Sequence, residues 1–442
     1  MAFNSGNILD IEYRKKIIQE INSDENIARK QESLKRYEIY HDRKEPYLIN
    51  KLARMYDAST VKEMRILSSI NLTKVITDNQ SEIYVNDPLR SFMYASDDDI
   101  ERLPLIYSDM KVDTSLTKAN VYYNLMNQCT IQIIPKNGRL KMRVLAPHQY
   151  DVIPDPTSPE DGRVYITSQL DRDKLFNRAV QANNIVNTSN GSNQDVGDTD
   201  DWRGAAGIYA WWSDDYNFIT DGKGYILNNK TYQRLEAIEV EEILNPIGKL
   251  PFVDVSGDKD NEYWVRYGNS TVDFDMDIAL TISDTLDVNA MQGFAQAIIS
   301  AMNAPSELKM GPRKVLFLKK DKNADPSAQP NFEFASPNPD LASSINLIKT
   351  LISLFLTSKK QDPATVNGDS ASVKYASGLD RMLAQISKFE ASKEDFDVFK
   401  WVEIEVYNII RLWLNAFAGV TDGGLLDNYD GSISDDTELK ES

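Results

Sequence analysis

Thr271-Val-Asp-Phe-Asp-Met-Asp-Ile-Ala-Leu-Thr-Ile-Ser-Asp-Thr-Leu-Asp287 opens a stretch, 271–302, that has no proline and a single glycine. Read as one helix, it spans about 48 Å at ~1.5 Å per residue. Phe274, Ile278, Ile282 and Leu286 recur at every fourth position and predict one apolar stripe. At ~100° per residue, Asp273, Asp277, Asp284 and Asp287 project within about 80° of one another on the opposite side. The stretch holds five aspartates and neither lysine nor arginine. The four acids therefore form either a solvated outer face or a surface kept uniformly negative.

Downstream, Pro305 and Gly311-Pro312 end the helical pattern. Residues 313–320 read as a strand, and Phe332 and Phe334 alternate in a second one. Between 309 and 322 lie Lys309, Arg313, Lys314, Lys319, Lys320 and Lys322, with Asp321 the only acid. Such a patch either protects a strand edge, a common use of lysine, or meets a partner. Pro337 and Pro339 precede a second helix, 340–358, with Asp340 as its expected N-cap. Its apolar stripe is Leu341, Ile345, Ile348, Ile352 and Phe355. Residues 359–374 form a polar, flexible loop flanked by Lys359, Lys360 and Lys374. A long helix follows over 375–418, with an expected bend near Ser387 to Ser392. Phe399, Val402, Val406, Ile409, Trp413 and Phe417 are its buried stripe. The tail, 421–442, carries seven acids and one base, and reads as disordered or loosely docked.

Upstream, residues 8–55 read as charged helices. Residues 60–79 read as a clearer helix, with Val61, Met64, Leu67, Ile70 (or Leu72) and Val75 at helical spacing. Residues 97–125 are helical in two pieces. The period then changes. Ile131 and Ile133, the turn Lys136-Asn-Gly-Arg139, then Leu140, Met142 and Val144 predict a β-hairpin. Strand signals continue over 146–162, 164–170, 208–212 and 225–227, with Asp221-Gly-Lys-Gly224 as a hairpin turn. The stretch 183–203 is rich in Asn and Asp and reads as an exposed, mobile loop. The proline-punctuated segment 245–251 closes the β region. Taken together, the pattern predicts an α+β fold.

The composition narrows the function classes. Net charge is −18 over 442 residues, which argues against a general nucleic-acid coat protein but not against a protein that DNA must pass without sticking. One cysteine, Cys129, permits no internal disulfide. With only His41 and His148 beside it, no His/Cys zinc cluster can form. No phosphate-binding loop motif occurs, since Gly224 is followed by Tyr225. The acidic tail fails as a calcium loop, because Leu426 and Thr437 fall where ligands are needed. No basic-then-apolar leader is visible at Met1–Asp10, and the longest apolar run, Leu351 to Leu356, is too short for a membrane span. We expect neither an enzyme nor a membrane protein, and no cofactor or metal.

Several stretches resemble the portal proteins (head–tail connectors) of tailed, double-stranded DNA bacteriophages. Asn71-Leu-Thr-Lys-Val-Ile-Thr-Asp78 with Tyr84-Val-Asn-Asp-Pro88 resembles the early wing helix and its turn. Leu145-Ala-Pro-His-Gln-Tyr-Asp-Val-Ile-Pro-Asp155 is similar to a wing strand, and Asn245-Pro-Ile-Gly-Lys-Leu-Pro-Phe-Val253 to the approach to the stem. Ser370-Ala-Ser-Val-Lys-Tyr-Ala-Ser-Gly378 resembles the small-residue stretch after the tunnel loop. The resemblance covers roughly 60–418 and rests on the order of the parts. It implies an N-terminal helical segment (1–59), a wing (60–270), stem helices (271–302 and 340–358), a clip (303–339), a tunnel loop (359–374), a long wing helix (375–420) and the acidic tail (421–442). Many portals carry a helical C-terminal crown; with the short acidic tail in its place, little or no crown is expected here.

By that resemblance the chain forms a ring of about twelve copies at one capsid vertex of the virion, assembled in the host cytoplasm. The ring is the channel for genome packaging and ejection. Its partners are the major capsid protein, the terminase, then a head–tail adaptor or tail protein, and the double-stranded DNA passing through. Asp273, Asp277, Asp284 and Asp287 would line the channel, where acids repel phosphates that lysine or arginine would hold. Lys359, Lys360 and Lys374 would flank the tunnel loop, and the 309–322 cations would serve partner docking. A head-completion adaptor or other ring-forming assembly protein is the alternative. A carboxylate-dependent metalloenzyme built on Asp151, Asp155 and Asp161 is a remote one.

Overall fold

The structure, a computed structural model, describes residues 7–54, 56, 61, 70–84, 88–168, 207–229, 231–235, 239–257, 261–265, 271–292, 296–300, 331–335, 341–361, 378–419, 431–434 and 436–441. In chain order the elements used below are α1 (Ile11–Ile21), α2 (Asp24–Tyr40), α3 (Glu45–Leu52), α4 (Leu72–Gln80), β1 (Arg90–Met93), α5 (Asp97–Met110), α6 (Val112–Met126), β2 (Gln128–Lys136) and β3 (Arg139–Leu145). They continue with β4 (Tyr150–Pro154), β5 (Gly162–Ser168), β6 (Tyr209–Trp212), β7 (Asn217–Thr220), β8 (Ile226–Leu227), β9 (Phe252–Ser256), α7 (Thr271–Gln292), β10 (Gln296–Ser300), β11 (Asn331–Ala335), α8 (Leu341–Ser358), α9 (Gly378–Phe417) and β12 (Glu438–Glu441). The mixture of helix and antiparallel sheet is the expected α+β class. The chain divides into two units, one from 1–43, 71–272 and 375–442, the other from 44–70 and 273–374.

In the first unit, local chemistry sets the helix starts. Asp10 caps α1 by accepting from the Glu12 amide, Ser23 caps α2 and Ser96 caps α5. The expected hairpin is present as β2–β3. Its turn places Asn137 and Gly138 at φ of 56° and 74°, the left-handed conformation that two-residue hairpin turns require. A five-stranded sheet runs β4-β5-β6-β7-β8, and a three-stranded one runs β3-β2-β9. The first carries a core of Ile153, Val164, Ile166, Trp211 and Phe218, against which α1 lays Ile17, Ile18 and Ile21. Helix α9 packs on β9 and β2. Phe399, Val402, Val406, Ile409 and Trp413 of its expected stripe are all buried, and the Trp413 indole donates to the Ile133 carbonyl at 2.9 Å.

Three expectations need revision. The helix read over 60–79 is not continuous, because Ile70 and Asn71 are non-helical. Asn71 instead caps α4: its Oδ1 accepts from the Lys74 amide, while its Nδ2 donates to the Ile39 carbonyl. Two short strands of four residues, β1 and β7, carried too little pattern to be read, and segment 245–251 does not close the β region, because Phe252–Ser256 follows it as β9 and pairs with β2. The tail is not wholly loose. β12 pairs with β1 in antiparallel register, Arg90 opposite Glu441, and Leu439 and Ile433 are buried. Helix α9 spans Gly378–Phe417 without a break. The 183–203 loop lies outside the described residues.

One buried charge group joins α2 to the five-stranded sheet. Asp151 on β4 accepts from Arg29 Nη2 and Lys30 Nζ, both at 2.7 Å, and is itself 2% exposed. Lys30 also donates to the Ile21 carbonyl, and the Arg29 guanidinium sits 3.6 Å over the Trp264 ring. Burial pushes the Lys30 ammonium below its usual range, and the Asp151 charge pulls it back. Removing one member of a buried pair costs about 3–5 kcal/mol, because the other is stranded. Asp151→Asn is expected to lower the unfolding free energy by that order in urea titration. A loss under about 1 kcal/mol would show that the group does not anchor α2.

Candidate functional site

The second unit contains the predicted acidic helix. Helix α7 ends at Gln292 instead of continuing to 302, so it is about 33 Å long at ~1.5 Å per residue. Residues 296–300, read as its last turns, form β10 and pair antiparallel with β11, which contains the expected Phe332 and Phe334. Ile298 and Ile299 are β-branched, and the cross-strand pairing outweighs their helical context.

The packed face of α7 is rotated from the expected stripe. Met276, Ile278, Ala279 and Leu280 are buried, Phe274 and Ile282 are half-buried, and Leu286 is exposed. Two polar residues lie within the packed face. Ser283 returns its hydroxyl to the Ala279 carbonyl at 2.7 Å. Asp275, the one aspartate outside the predicted acidic set, meets Lys44 at 3.0 Å, and both are fully buried. No periodicity rule flags that pair, because Lys44 and Asp275 are far apart in sequence. The Phe274 and Phe355 rings stack at 3.9 Å and 5°, which ties α7 to α8.

The four acids do share a side of α7. Asp277 is exposed and is bonded by Lys51 of α3, so one of the four is partly neutralised. Asp273, Asp284 and Asp287 are partly exposed. The Asp284 carboxyl is held above its usual range, first by partial burial and then by the Asp287 charge one turn on. The four acids thus form a graded surface: a paired end at Asp277 and a mutually repelling end at Asp284 and Asp287.

Helix α8 has an expected and an unexpected face. Of the expected stripe, Ile348 is buried, while Ile345 is 49% exposed. Leu347, Leu351 and Leu354 lie within about 60° of each other at ~100° per residue, and all three are exposed. The sequence did carry this second stripe, one position off the first. The hydroxyls of Thr350, Thr357 and Ser358 bond back to carbonyls of their own helix, which leaves less polarity on the surface. Among the described residues, α8 is the one helix long and apolar enough to cross a membrane by length and composition, a property the short run at 351–356 did not suggest. Its C-terminus closes on Lys360 at φ 57°, with the Gln361 amide donating to the Leu356 carbonyl. Lys359 sits 5.7 Å over the Phe355 ring. Lys374, Lys309, Arg313, Lys314, Lys319, Lys320 and Lys322 lie outside the described residues.

The residues of the metalloenzyme reading do not converge. Asp151 is clamped by Arg29 and Lys30. Asp155 and Asp161 serve a turn, where they accept from Thr157 and Ser158. Among the described residues, no three His, Cys, Asp or Glu side chains group closely enough to hold a metal ion.

Two kinds of aspartate on one helix give opposite responses to neutralisation. Asp275→Asn strands Lys44 and is expected to cost about 3–5 kcal/mol. Asp284→Asn behaves differently. A carboxyl raised in the folded state stabilises below its unfolded pKa, and that contribution is lost as pH rises through the folded value. Asp284→Asn should therefore raise the urea midpoint at neutral pH and leave it unchanged in acid. Equal midpoints for both variants at neutral pH would contradict this division. The sequence itself matches no protein-family model and no curated protein.

Proposed function

We propose that this chain is a portal-type subunit, one copy of a ring through which double-stranded DNA passes into and out of a viral capsid. The observation that carries the reading is the make-up of the second unit. An acidic helix, an antiparallel strand pair and an apolar helix follow in that order, and α8 presents Leu347, Leu351 and Leu354 bare. A large apolar face left open on one subunit is the usual mark of an association surface. Repetition around a closed ring buries such a face without leaving an edge. In the ring, Asp273, Asp284 and Asp287 supply a surface that confines a polyanion without binding it. Cations at Lys319, Lys320 and Lys322 serve docking of the packaging motor and later of an adaptor, and residues 359–374 form the loop nearest the DNA. Copies number about twelve by the resemblance.

The composition of α8 also suits a bilayer. Helix α7, stacked against it through Phe274 and Phe355, carries five aspartates, each expensive in hydrocarbon. The ring is therefore the better reading.

Electron microscopy and native mass spectrometry of the purified chain test it. Closed rings with an axial hole are expected from the wild type. Leu347→Glu, Leu351→Glu and Leu354→Glu together should yield monomers that remain folded by circular dichroism and melt at a concentration-independent temperature. Monomers from the wild type at every concentration would refute the ring, and flotation of the wild type with lipid vesicles would favour the bilayer.

A further inference from the structure

The first unit holds a surface cavity of about 450 Å³ that the ring reading does not use. It lies where the start of β5, the strand β9 and one face of α9 meet, and its lining includes Tyr165, Phe252, Asp254, Asp214, Trp401 and Glu405. The floor is aromatic: the Tyr165 and Phe252 rings stack at 4.3 Å and 11°. Gly162 makes that possible, because a Cβ there would meet the Tyr165 ring at 2.7 Å. The rim is aromatic too. Trp401 is 54% exposed, although its neighbours Phe399 and Val402 on α9 are fully buried.

The walls are acidic. Four carboxylates line the cavity against one lysine, Lys249, which Glu405 already holds at 2.8 Å. Asp254 is fixed in place, since the hydroxyls of Tyr165 and Tyr263 each donate to it at 2.8 Å. Burial, reinforced by the Asp254 charge, keeps both phenols far above their usual range, so they remain donors at any physiological pH. Asp214 is also oriented, accepting from the Leu250 amide at 2.8 Å. Among the described residues, the acids are too dispersed to close around a metal ion. An extended, flat cation can span such a dispersed set of carboxylates, whereas a single ion cannot be coordinated by it.

We propose that this cavity binds an arginine side chain presented by an extended segment of a partner protein. The guanidinium plane stacks on the open indole of Trp401, and its fork of donors meets the carboxylates of Asp254 and Asp214. Arginine is preferred to lysine because its charge is planar and its donors are paired. An indole is the best aromatic partner for such a cation. This assignment stands whether or not the chain forms a ring.

The test uses the full chain and a fluorescein-labelled Ser-Gly-Arg-Ser-Gly-Arg peptide, read by fluorescence anisotropy at low and physiological salt. Fluorine NMR of 5-fluorotryptophan-labelled protein follows the Trp401 resonance, assigned with Trp401→Phe. We expect saturable binding, a shift of the Trp401 resonance, and weakening by salt. Trp401→Ala and Asp214→Asn, both at exposed positions, should each weaken binding about tenfold, equivalent to ~1.4 kcal/mol, with melting unchanged. A peptide with lysine for arginine should bind several-fold more weakly, and one with glutamate not at all. Absence of binding at millimolar peptide, or equal affinity of the wild type and Trp401→Ala, would overturn the assignment.

Discussion

The first unit depends on what happens to three charges removed from water. Arg29, Lys30 and Asp151 hold α2 against the five-stranded sheet. Ions inside a protein are tolerated only when geometry satisfies them. Here the Asp151 carboxylate meets both cations, Lys30 also donates to the Ile21 carbonyl and Arg29 to the Pro147 carbonyl, and the Arg29 guanidinium lies over the Trp264 ring, although Arg29 Nε itself is buried without a hydrogen-bond partner among the described residues. With α2 fixed, α1 is led onto the sheet, and Arg14 can reach the carbonyls of Gly224 and Ile8. The hydrophobic cluster between α1 and the sheet is thus positioned by a polar clamp at its edge. The second unit repeats the device with Lys44 and Asp275, again one lysine and one aspartate fully enclosed.

Much of the fold could be read from the sequence because its signals are local. The Asn137-Gly138 turn and the α9 stripe depend on neighbours within a few residues; the turn occurs as expected, and the stripe is buried from Phe399 to Trp413 with Phe417 half-buried at its end. What could not be read is non-local. β9 joins β2 from more than a hundred residues away, and Arg90 reaches Glu403 across 313 positions. A buried lysine such as Lys44 or Lys30 looks, in sequence, like any surface lysine. For the candidate site, the four aspartates on one side of α7 followed directly from helical geometry. Lys51 beside Asp277 did not, nor did the rotation of the packed face toward Ala279 and Ser283. The small residues there admit close packing that a hydrophobicity pattern undervalues.

Both long helices of the second unit treat their hydroxyl groups alike. Thr281, Ser283 and Thr285 on α7, and Thr350, Thr357 and Ser358 on α8, all return their protons to their own helix. A hydroxyl satisfied in this way asks little of water or of a neighbour. These helices therefore carry many polar atoms at small desolvation cost.

The pairing of β12 with β1 has a consequence for how the chain is made. Ser91 and Lys440 are 349 positions apart, yet they bond within one two-stranded sheet. During synthesis, β1 leaves the ribosome early and waits, its edge unpaired, until the residues up to 441 have followed. At ordinary rates of about 5–20 residues per second, that interval lasts tens of seconds. The sequence 273–374 must emerge within that interval, so the second unit is complete while the first is still open. Premature self-association through bare strand edges and helix faces is the hazard of such an order. The short length of β1, four residues, keeps that exposed edge small.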